Sequence, residues 1–425
     1  MNFTNAKDVI SYLYSLPKLH PKGDLSYVKR ALDVLDNPQN KVKTIHVTGT
    51  NGKGSTSYYI SNLLRKAGQK TGLFVSPYVF EFNERIQLNG KNISNSDLVK
   101  VANQVEKAIT KIKRNDPDFS LVTFEYETVM AFTFFAEQKC DYAVIEVGIG
   151  GEHDKTNVIT PEVSVITTVG LDHEKIIGPT IQDIAHEKSG IIKSHRPVVG
   201  GNIPKTVLPI IEKKAAQEHA PFYLLGRNFI VSDDKRVVYK VKNKTLSFIS
   251  HPKVESYDIA VAVQVFSLLH LPLSNALIEQ AVNQTKIPGR YQLLKENPMI
   301  ILDGAHNIQA VKNLLEFVHK QKKIRDGQVR VLITMMKDKD LEQVFSLFDK
   351  ADRLLLTTIS YPRVAKKADF PVAVQKKYPY EANWKKAFDE LKDASEDNDI
   401  LLVTGSFYLV SEILNMGEAN ASSGY

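Results

Sequence analysis

The chain has 425 residues, with 55 lysines and arginines against 48 aspartates and glutamates, 43% hydrophobic residues and a single cysteine. This length predicts two or three domains, and the composition is that of a globular protein rather than a disordered or fibrous one. Because Cys140 is the only cysteine, an intramolecular disulfide and a four-cysteine zinc site are both excluded. The N-terminus lacks a secretory signal pattern, and no stretch reaches about 18 consecutive apolar residues. We therefore expect a cytoplasmic protein without a membrane segment.

The net charge of +7 is spread over the whole chain. Lysines occur in short pairs such as Lys366-Lys367 and Lys376-Lys377, and no long basic block is interleaved with aromatic residues. A nucleic-acid-binding face normally shows such a concentrated basic patch. The pattern therefore favours a solvated surface over a nucleic-acid interface.

The first two thirds of the chain repeat a strand, a turn and a helix. Strands are predicted at 44–48, 71–75, 141–147 and 163–169, and helices from after the turn 49–55 to about residue 67, at 95–114 and at 124–138. Several of these strands are almost continuously apolar, which is typical of a parallel sheet covered by helices on both faces. The predicted fold class is α/β with a mainly parallel sheet.

A second, smaller α/β unit is predicted after Ile287-Pro288-Gly289-Arg290. Its predicted strands are 299–302, 329–334, 353–358 and 400–403, with a helix from the turn 303–307 to about residue 320. We place an N-terminal domain at 1–295 and a C-terminal, Rossmann-like domain at 296–425. The last residues, 417–425, are predicted to be a frayed tail.

A glycine-rich turn follows the first predicted strand and precedes a helix. It consists of Gly49, Thr50, Asn51, Gly52, Lys53, Gly54 and Ser55. Backbone N–H groups and the positive end of the helix dipole can bind a phosphate chain there, while Lys53 can reach the β- and γ-phosphates. A hydroxyl of Ser55 or Thr56 would lie near a metal ion. The strict P-loop pattern is not met, because Val47 and Gly54 stand where it needs Gly and Ser or Thr. The turn still predicts a P-loop-type ATPase domain.

Three further patterns follow predicted strands or helices. Glu146 ends an apolar strand, where a carboxylate can hold a magnesium ion near phosphates; the alternative is an edge residue paired with a lysine. Asp172 and His173 follow the next strand and suit a metal or a general base, although such a histidine is more often structural. The segment His186–Lys193, by itself, is typical of the end of a solvated helix.

These patterns belong to a larger set that occurs in order along residues 40 to 410. The set comprises His46-Val47-Thr48-Gly49-Thr50-Asn51-Gly52-Lys53-Gly54-Ser55, Ser76-Pro77, Asn83-Glu84-Arg85-Ile86, Glu146-Val147-Gly148-Ile149-Gly150-Gly151, Asp172-His173, His186-Glu187-Lys188-Ser189-Gly190-Ile191-Ile192-Lys193, Gly289-Arg290, Asp303-Gly304-Ala305-His306-Asn307 and Thr404-Gly405-Ser406. In this set the chain resembles the folylpolyglutamate synthases of the Mur ligase superfamily. Two of the motifs are eight residues or longer, which makes chance agreement negligible.

The resemblance implies an ATP-dependent ligase that joins the γ-carboxylate of a reduced folate's terminal glutamate to the amine of free L-glutamate. The N-terminal domain would be the ATPase, and the C-terminal domain would bring the incoming amino acid. The expected partners are therefore small molecules, namely ATP, a reduced folate and L-glutamate. We expect no nucleic acid, no membrane and a monomer.

The resemblance also implies roles for individual residues. The residues with implied catalytic roles are Lys53, Lys188, Asp303 and His306. ATP would contact the turn 49–55, Asp258, Arg290 and Asp303, and the substrates would contact Arg85 and Ser406. Two magnesium ions would be bound by Ser76, Glu146, His173 and Lys188. Lys188 matches a lysine that the family carries as a carbamate, which turns a cation into an anionic oxygen ligand. This implication replaces the solvated-helix interpretation of His186–Lys193.

The chain departs from the family pattern at two places. Asp258 takes the position of a family asparagine, so its adenine contact is the least supported of the ATP contacts. Bifunctional relatives that also make dihydrofolate continue the glycine run with Arg-Leu-Asp-Ala-Thr-Asn, where this chain has Glu152-His153-Asp154-Lys155-Thr156-Asn157. The loss of a cation at Glu152 favours a monofunctional enzyme.

Three alternatives remain beside this prediction. The first is a bifunctional dihydrofolate synthase and folylpolyglutamate synthase. The second is a P-loop nucleotide-binding regulator without catalysis, which would not need Lys188, Asp303 and His306 together. A nucleic-acid-binding module is the third.

Overall fold

The structure is a computed structural model that describes residues 2–17, 20, 24–233, 235–242 and 244–422. The chain divides into two compact units, Met1–Lys286 and Ile287–Tyr425. Each unit contains a central sheet with hydrophobic core clusters of its own. The α/β fold class with a large, mainly parallel first sheet is confirmed.

The first unit is built on an eight-stranded sheet with the order β4-β3-β2-β5-β1-β6-β7-β8. The strands are β1 Lys43–Thr48, β2 Thr71–Phe74, β3 Ile86–Leu88, β4 Lys91–Asn92, β5 Tyr142–Glu146, β6 Val163–Thr168, β7 Val198–Asn202 and β8 Phe222–Leu224. Only the edge strands β3 and β4 run antiparallel to their neighbours. The central strands are buried along nearly their whole length, as expected for a sheet covered on both faces.

Ten helices surround this sheet in the described residues of the first unit. They are α1 Ala6–Ser15, α2 Ser26–Val34, α3 Lys53–Lys66, α4 Asn95–Lys113, α5 Thr123–Glu137, α6 Glu174–Ile177, α7 Ile181–Ser189, α8 Leu208–Gln217, α9 Lys253–Leu268 and α10 Asn275–Asn283. Helix α3 packs against α9 and α10, and α4 packs against α1, α2 and α5. A separate antiparallel sheet, which the sequence analysis did not predict, consists of β9 Ile230–Ser232, β10 Val237–Val241 and β11 Lys244–Phe248.

The strand order places three loops at one edge of the first sheet. Strand β1 lies between β5 and β6, with Val47 opposite both Glu146 and Val165. The three strands are parallel, so the segments that follow them all leave from the same edge. These segments are the glycine-rich turn, the run after Glu146 and the loop that carries His173.

The second unit has a six-stranded sheet with the order β12-β13-β17-β14-β15-β16. Its strands are β12 Gln292–Lys295, β13 Met299–Leu302, β14 Val329–Ile333, β15 Arg353–Thr357, β16 Tyr380–Glu381 and β17 Ile400–Thr404. Its helices are α11 Ile308–Arg325, α12 Leu341–Ser346, α13 Val372–Lys377, α14 Trp384–Asp393 and α15 Phe407–Ser422. Only β12 is antiparallel to its neighbour, β13.

Two sequence predictions need correction. The division of the chain falls at Lys286/Ile287 and not at 295/296, because β12 pairs with β13 and is part of the second sheet. The segment 417–422 is not a frayed tail but the end of α15, which continues an apolar helix that begins at Phe407. Residues 423–425 lie outside the described residues. In the described part of the chain, no helix has the length and apolar character needed to cross a membrane.

Candidate active site

The glycine-rich turn connects β1 to the first turn of α3, as predicted. Gly52 has φ 83°, in the left-handed region, and a Cβ there would lie 2.2 Å from Asp258 Oδ1. At Gly49 a Cβ would lie 1.9 Å from Thr167 Oγ1. Glycine is needed at both positions because neighbouring side chains occupy the space of any larger residue. The side chains of Thr167 and Asp258 therefore pack tightly against the turn.

The end of β6 holds this turn by hydrogen bonds. Thr50 N donates to Thr168 O at 3.0 Å, and Asn51 N donates to Thr168 Oγ1 at 2.9 Å. Thr167 Oγ1 donates to Asn51 O at 2.6 Å. These contacts fix the turn without using its charged side chain. Thr167 and Thr168 were not predicted as part of the site, because they are more than 100 residues from the turn along the chain.

The ammonium group of Lys53 lies within the turn. Its Nζ donates to Gly49 O at 2.9 Å, and Lys53 is also the first residue of α3. The ammonium and the positive end of the helix dipole therefore act on the same small region. This arrangement suits the binding of a phosphate chain.

Asp258 lies behind the turn, on α9. It is 8% exposed and accepts a hydrogen bond from Thr56 Oγ1 at 3.2 Å. Together with the close approach to Gly52, this contact makes Asp258 a support for the turn. Its predicted contact with adenine stays a prediction.

Glu146 ends β5 beside the start of α3. A Cβ at Gly54 would lie 3.6 Å from Glu146 Oε1, and Ser76 N donates to Glu146 Oε2 at 3.0 Å. Two of the predicted magnesium ligands, Ser76 and Glu146, are thus adjacent. His173, the third, has φ 54° and its Nε2 lies 3.9 Å from the Asp172 carboxylate. Carboxylate and hydroxyl oxygens suit magnesium, so this part of the ligand set fits the ion.

Lys188 is buried in α7, with 3% exposure. Burial, and next the positive charge of Lys53, lower the pKa of Lys188 to about 7. The negative charges of Asp172, Glu187 and Asp154 act in the opposite direction. The backbone of Gly151 lies against Lys188, since a Cβ there would lie 3.0 Å from Lys188 Cα. The glycine run after β5 and the predicted carbamate position are therefore in contact.

A buried network holds this glycine run. Asp154 accepts hydrogen bonds from Ile149 N at 3.0 Å and from Thr156 N at 2.9 Å. Thr156 Oγ1 is 2.8 Å from His46 Nε2 on β1. Burial lowers the pKa of His46 to about 3, so the ring is neutral at physiological pH. The network connects the run after β5 to the strand that carries the phosphate-binding turn.

Arg85 is held by a buried acid and two aromatic rings. Its Nη1 is 3.3 Å from Glu127 Oε2, and its guanidinium lies over the rings of Tyr78 and Phe82 at 5.4 and 5.7 Å. Burial raises the pKa of Glu127, and the charge of Arg85 opposes this effect. Its predicted role in substrate binding stays a prediction.

Asp303 and Arg290 lie together in the second unit. The Asp303 carboxylate, which follows β13, accepts hydrogen bonds from Tyr291 N and Ala305 N, both at 2.8 Å. Arg290 Nη1 lies 4.0 Å from Asp303 Oδ1, and the guanidinium stacks over the Phe407 ring at 4.4 Å. The two predicted ATP-binding residues of this unit are thus brought together.

His306 and Ser406 lie after neighbouring parallel strands, β13 and β17. The His306 ring lies 6.2 Å from that of Phe407, and its Nδ1 is 2.8 Å from Gly304 O. A carbonyl only accepts, so Nδ1 carries the proton and Nε2 is the basic nitrogen of the neutral ring. Ser406 is 2% exposed, and its Oγ accepts from Tyr408 N at 3.1 Å. Its substrate contact stays a prediction.

Comparison with known proteins follows this division of the chain. Residues 47–265 match the Mur ligase middle domain family, and residues 289–407 match the Mur ligase, glutamate ligase domain family. Together with the phosphate-binding turn, these matches define a two-domain Mur ligase. Such a ligase uses ATP, and the chain is an ATP-dependent, ADP-forming enzyme.

Full-length relatives narrow the class. The chain is 33% identical to folylpolyglutamate synthase of Lacticaseibacillus casei, over 97% of this chain and 98% of that protein. It is 31% identical to dihydrofolate synthase/folylpolyglutamate synthase of Bacillus subtilis, over 97% and 99%. A solved FPGS-AMPPCP-folate complex matches with a TM-score of 0.86 and 31% identity, over 97% of this chain and 99% of that chain. The chain belongs to the folylpolyglutamate synthase family.

Proposed function

We propose that this enzyme adds L-glutamate in γ-linkage to a reduced folate, with ATP as the energy source. The observation that carries the proposal is the convergence of the phosphate-binding turn, Glu146 and the buried Lys188 in the first unit. The FPGS-AMPPCP-folate complex supports it, because a closely similar chain holds an ATP analogue and a folate.

The reaction has two chemical steps. An oxygen of the folate γ-carboxylate attacks the γ-phosphorus of ATP, and ADP leaves. The amine of L-glutamate then attacks the resulting acyl phosphate, loses a proton and displaces phosphate. In the first step two anions meet, so their repulsion must be neutralised. Lys53 and the N–H groups of the turn would supply positive charge for this purpose.

The incoming amine must be neutral to attack. We propose that His306 Nε2 accepts its proton, because the hydrogen bond to Gly304 O keeps the proton of the neutral ring on Nδ1. Arg290 and Asp303 would contact ATP, and Ser406 and Arg85 would contact the amino acid and the folate, respectively.

We propose that Ser76, Glu146, His173 and a carbamate on Lys188 hold magnesium, with two ions. When bound, magnesium would neutralise charge on the phosphate oxygens. The carbamate forms when a neutral amine adds carbon dioxide and releases a proton. An ordinary lysine is neutral in only about one molecule in three thousand near pH 7. A pKa of about 7 leaves roughly half of Lys188 neutral at that pH.

We propose a monofunctional enzyme rather than one that also makes dihydrofolate. Beside the exposed Glu152, the chain has Lys155 where the bifunctional pattern has alanine. Lys155 Nζ is 2.9 Å from Glu125 Oε1, and it donates to Asp24 O at 2.7 Å. This bulky, ion-paired side chain fills space that an alanine would leave open.

We further propose that the enzyme is a monomer and that it is cytoplasmic. The cytoplasm is a reducing compartment, which suits the buried, unpaired Cys140.

Phosphate release from ATP tests the proposal. We expect release only when tetrahydrofolate and L-glutamate are both present, and none when dihydropteroate replaces the folate. Release with dihydropteroate would support the bifunctional alternative. ATP binding without any substrate-dependent release would support the nucleotide-binding regulator and contradict the ligase.

A further inference from the structure

A cluster of metal-binding side chains lies beside the active site but outside the ligand set described above. It consists of Glu152, His153 and Glu187, each of which offers one ligand atom within 4.8 Å of the others. Glu152 is exposed, His153 is half-buried and Glu187 is buried. Imidazole and carboxylate groups within this distance are the donor set of many protein metal sites.

Glu187 is oriented by its surroundings. Its Oε1 accepts hydrogen bonds from His153 N at 2.9 Å and from Gly151 N at 3.4 Å. Its Oε2 is 2.8 Å from His153 Nδ1. The carboxylate is thus held in one orientation, with Oε1 bonded to two backbone N–H groups and Oε2 beside the imidazole.

In the described part of the chain, no lysine or arginine nitrogen lies within 4.0 Å of the Glu187 carboxylate, although the Lys188 amine is near enough to interact with its charge. Among the described residues, the one ion-pair partner of Glu187 within 4.0 Å is His153. A carboxylate that is only 7% exposed is costly to bury unless a positive charge lies near it. A divalent cation between Glu187 and His153 would supply that charge.

The other two members of the cluster, Glu152 and His153, are adjacent in sequence. They place a carboxylate and an imidazole next to the same buried acid.

We propose that Glu152, His153 and Glu187 bind a divalent first-row transition ion, for which zinc is the probe. Imidazole ligands favour such ions over magnesium, which prefers an all-oxygen shell. Three protein ligands leave a position for water. The site is distinct from the proposed magnesium ligands and goes beyond the proposed ligase function.

Occupancy would act on the active site through α7. Glu152 N donates to Glu187 O at 2.7 Å, and the next residue of the helix is Lys188. An ion would therefore join the turn at Glu152 and His153 to the helix that carries the proposed carbamate. We expect zinc to change the ligation rate in the presence of saturating magnesium.

Isothermal titration of zinc into the full chain with saturating magnesium tests the site. We expect one equivalent to bind, and binding to weaken more than about 100-fold in His153→Leu and in Glu152→Gln, since even a lost supporting contact costs 10- to 100-fold. His195→Asn is the matched control, because His195 is an exposed histidine that stacks on His219 at 5.4 Å and is not a member of the cluster.

The control variant should bind zinc as the unmodified chain does. The proposal is overturned if the chain binds no zinc, if His153→Leu binds as tightly as the unmodified chain, or if binding is lost in His195→Asn instead. Circular dichroism of the variants shows whether they are folded, and the two independent substitutions keep the test valid if one of them unfolds.

Discussion

In the proposed mechanism, Lys188 must be neutral before it can add carbon dioxide. Its burial in α7 and the nearby charge of Lys53 both disfavour the ammonium form. The charge of Lys53 would also favour an anionic carbamate, whereas the charges of Asp172, Glu187 and Asp154 would oppose it.

We predict that carbamate occupancy falls as the pH is lowered below about 7. The pKa of Lys188 is depressed to about 7, so the amine becomes protonated below this pH and cannot add carbon dioxide. Labelling with 13C-bicarbonate and carbon-13 NMR measures the occupancy directly, between pH 5.5 and 8.5.

Lys188→Ala provides the control for this experiment. It should lack the carbamate signal and lose most of its activity, and formate or acetate should restore part of that activity by replacing the missing oxygens. A signal that persists in this variant, or one that is independent of pH in the unmodified chain, would contradict the assignment.

At the scale of elements, the turn between β1 and α3 depends on what packs behind it. Predicting its existence required only the local glycine pattern. Its supports, Thr168 on β6 and Asp258 on α9, could not be predicted, because they come from distant parts of the chain and neither has a signature of its own. Asp258 was noticed only as a departure from a family asparagine.

We predict that Gly52→Ala lowers the ligation rate at least tenfold. An alanine here must adopt a left-handed backbone conformation, which costs about 1–2 kcal/mol. Its Cβ would also lie 2.2 Å from Asp258 Oδ1. The turn must then shift away from its phosphate-binding geometry. Steady-state kinetics with ATP as the varied substrate measure the effect.

Gly68→Ala is the matched control for the backbone contribution. Gly68 also has positive φ, 78°, but a Cβ there meets nothing within 4 Å. This variant should lose stability by a similar backbone cost and retain its activity. Equal losses of activity in the two variants would show that the contact with Asp258 does not matter.

The predicted strands agree with the structure where the strand is fully buried and its sequence is therefore apolar. Strands such as β5 and β13 are almost entirely apolar, so their bounds differ from the predicted ones by no more than about a residue at each end. The β9–β11 sheet was missed because its strands alternate buried and exposed residues and are only three to five residues long. The second unit was predicted to begin after Ile287–Arg290, but the domain limit was set at 295/296 because β12 has mostly exposed side chains and was not predicted as a strand.

At the scale of the whole molecule, the proposed roles divide between the two units. The phosphate-binding turn, Glu146 and Lys188 belong to the first unit, and Asp303 and His306 belong to the second. The sequence motifs predicted this division of roles, since they occur in order along the chain. The motifs leave open which substrate is accepted, and the Lys155 contacts that support the proposed monofunctional enzyme required the structure.

We predict that His306→Ala binds ATP within about twofold of the unmodified chain but loses at least 100-fold in turnover, which is within the usual contribution of a general base. Lys53→Ala should instead lose both ATP binding and turnover, because the Lys53 ammonium lies in the phosphate-binding turn. We expect its rate to fall by a factor on the order of 10²–10³. Nucleotide titration and steady-state kinetics separate the two effects. Equal loss of ATP binding in both variants would contradict the proposed division.

The acyl phosphate is the central claim, and oxygen transfer tests it most directly. Tetrahydrofolate labelled with oxygen-18 in its terminal γ-carboxylate would be incubated with the enzyme, ATP and L-glutamate, and the products analysed by mass spectrometry. Because that carboxylate attacks the γ-phosphorus, one labelled oxygen should appear in the released phosphate for each glutamate added to the folate. Unlabelled phosphate, or phosphate release without a glutamylated product, would contradict the account.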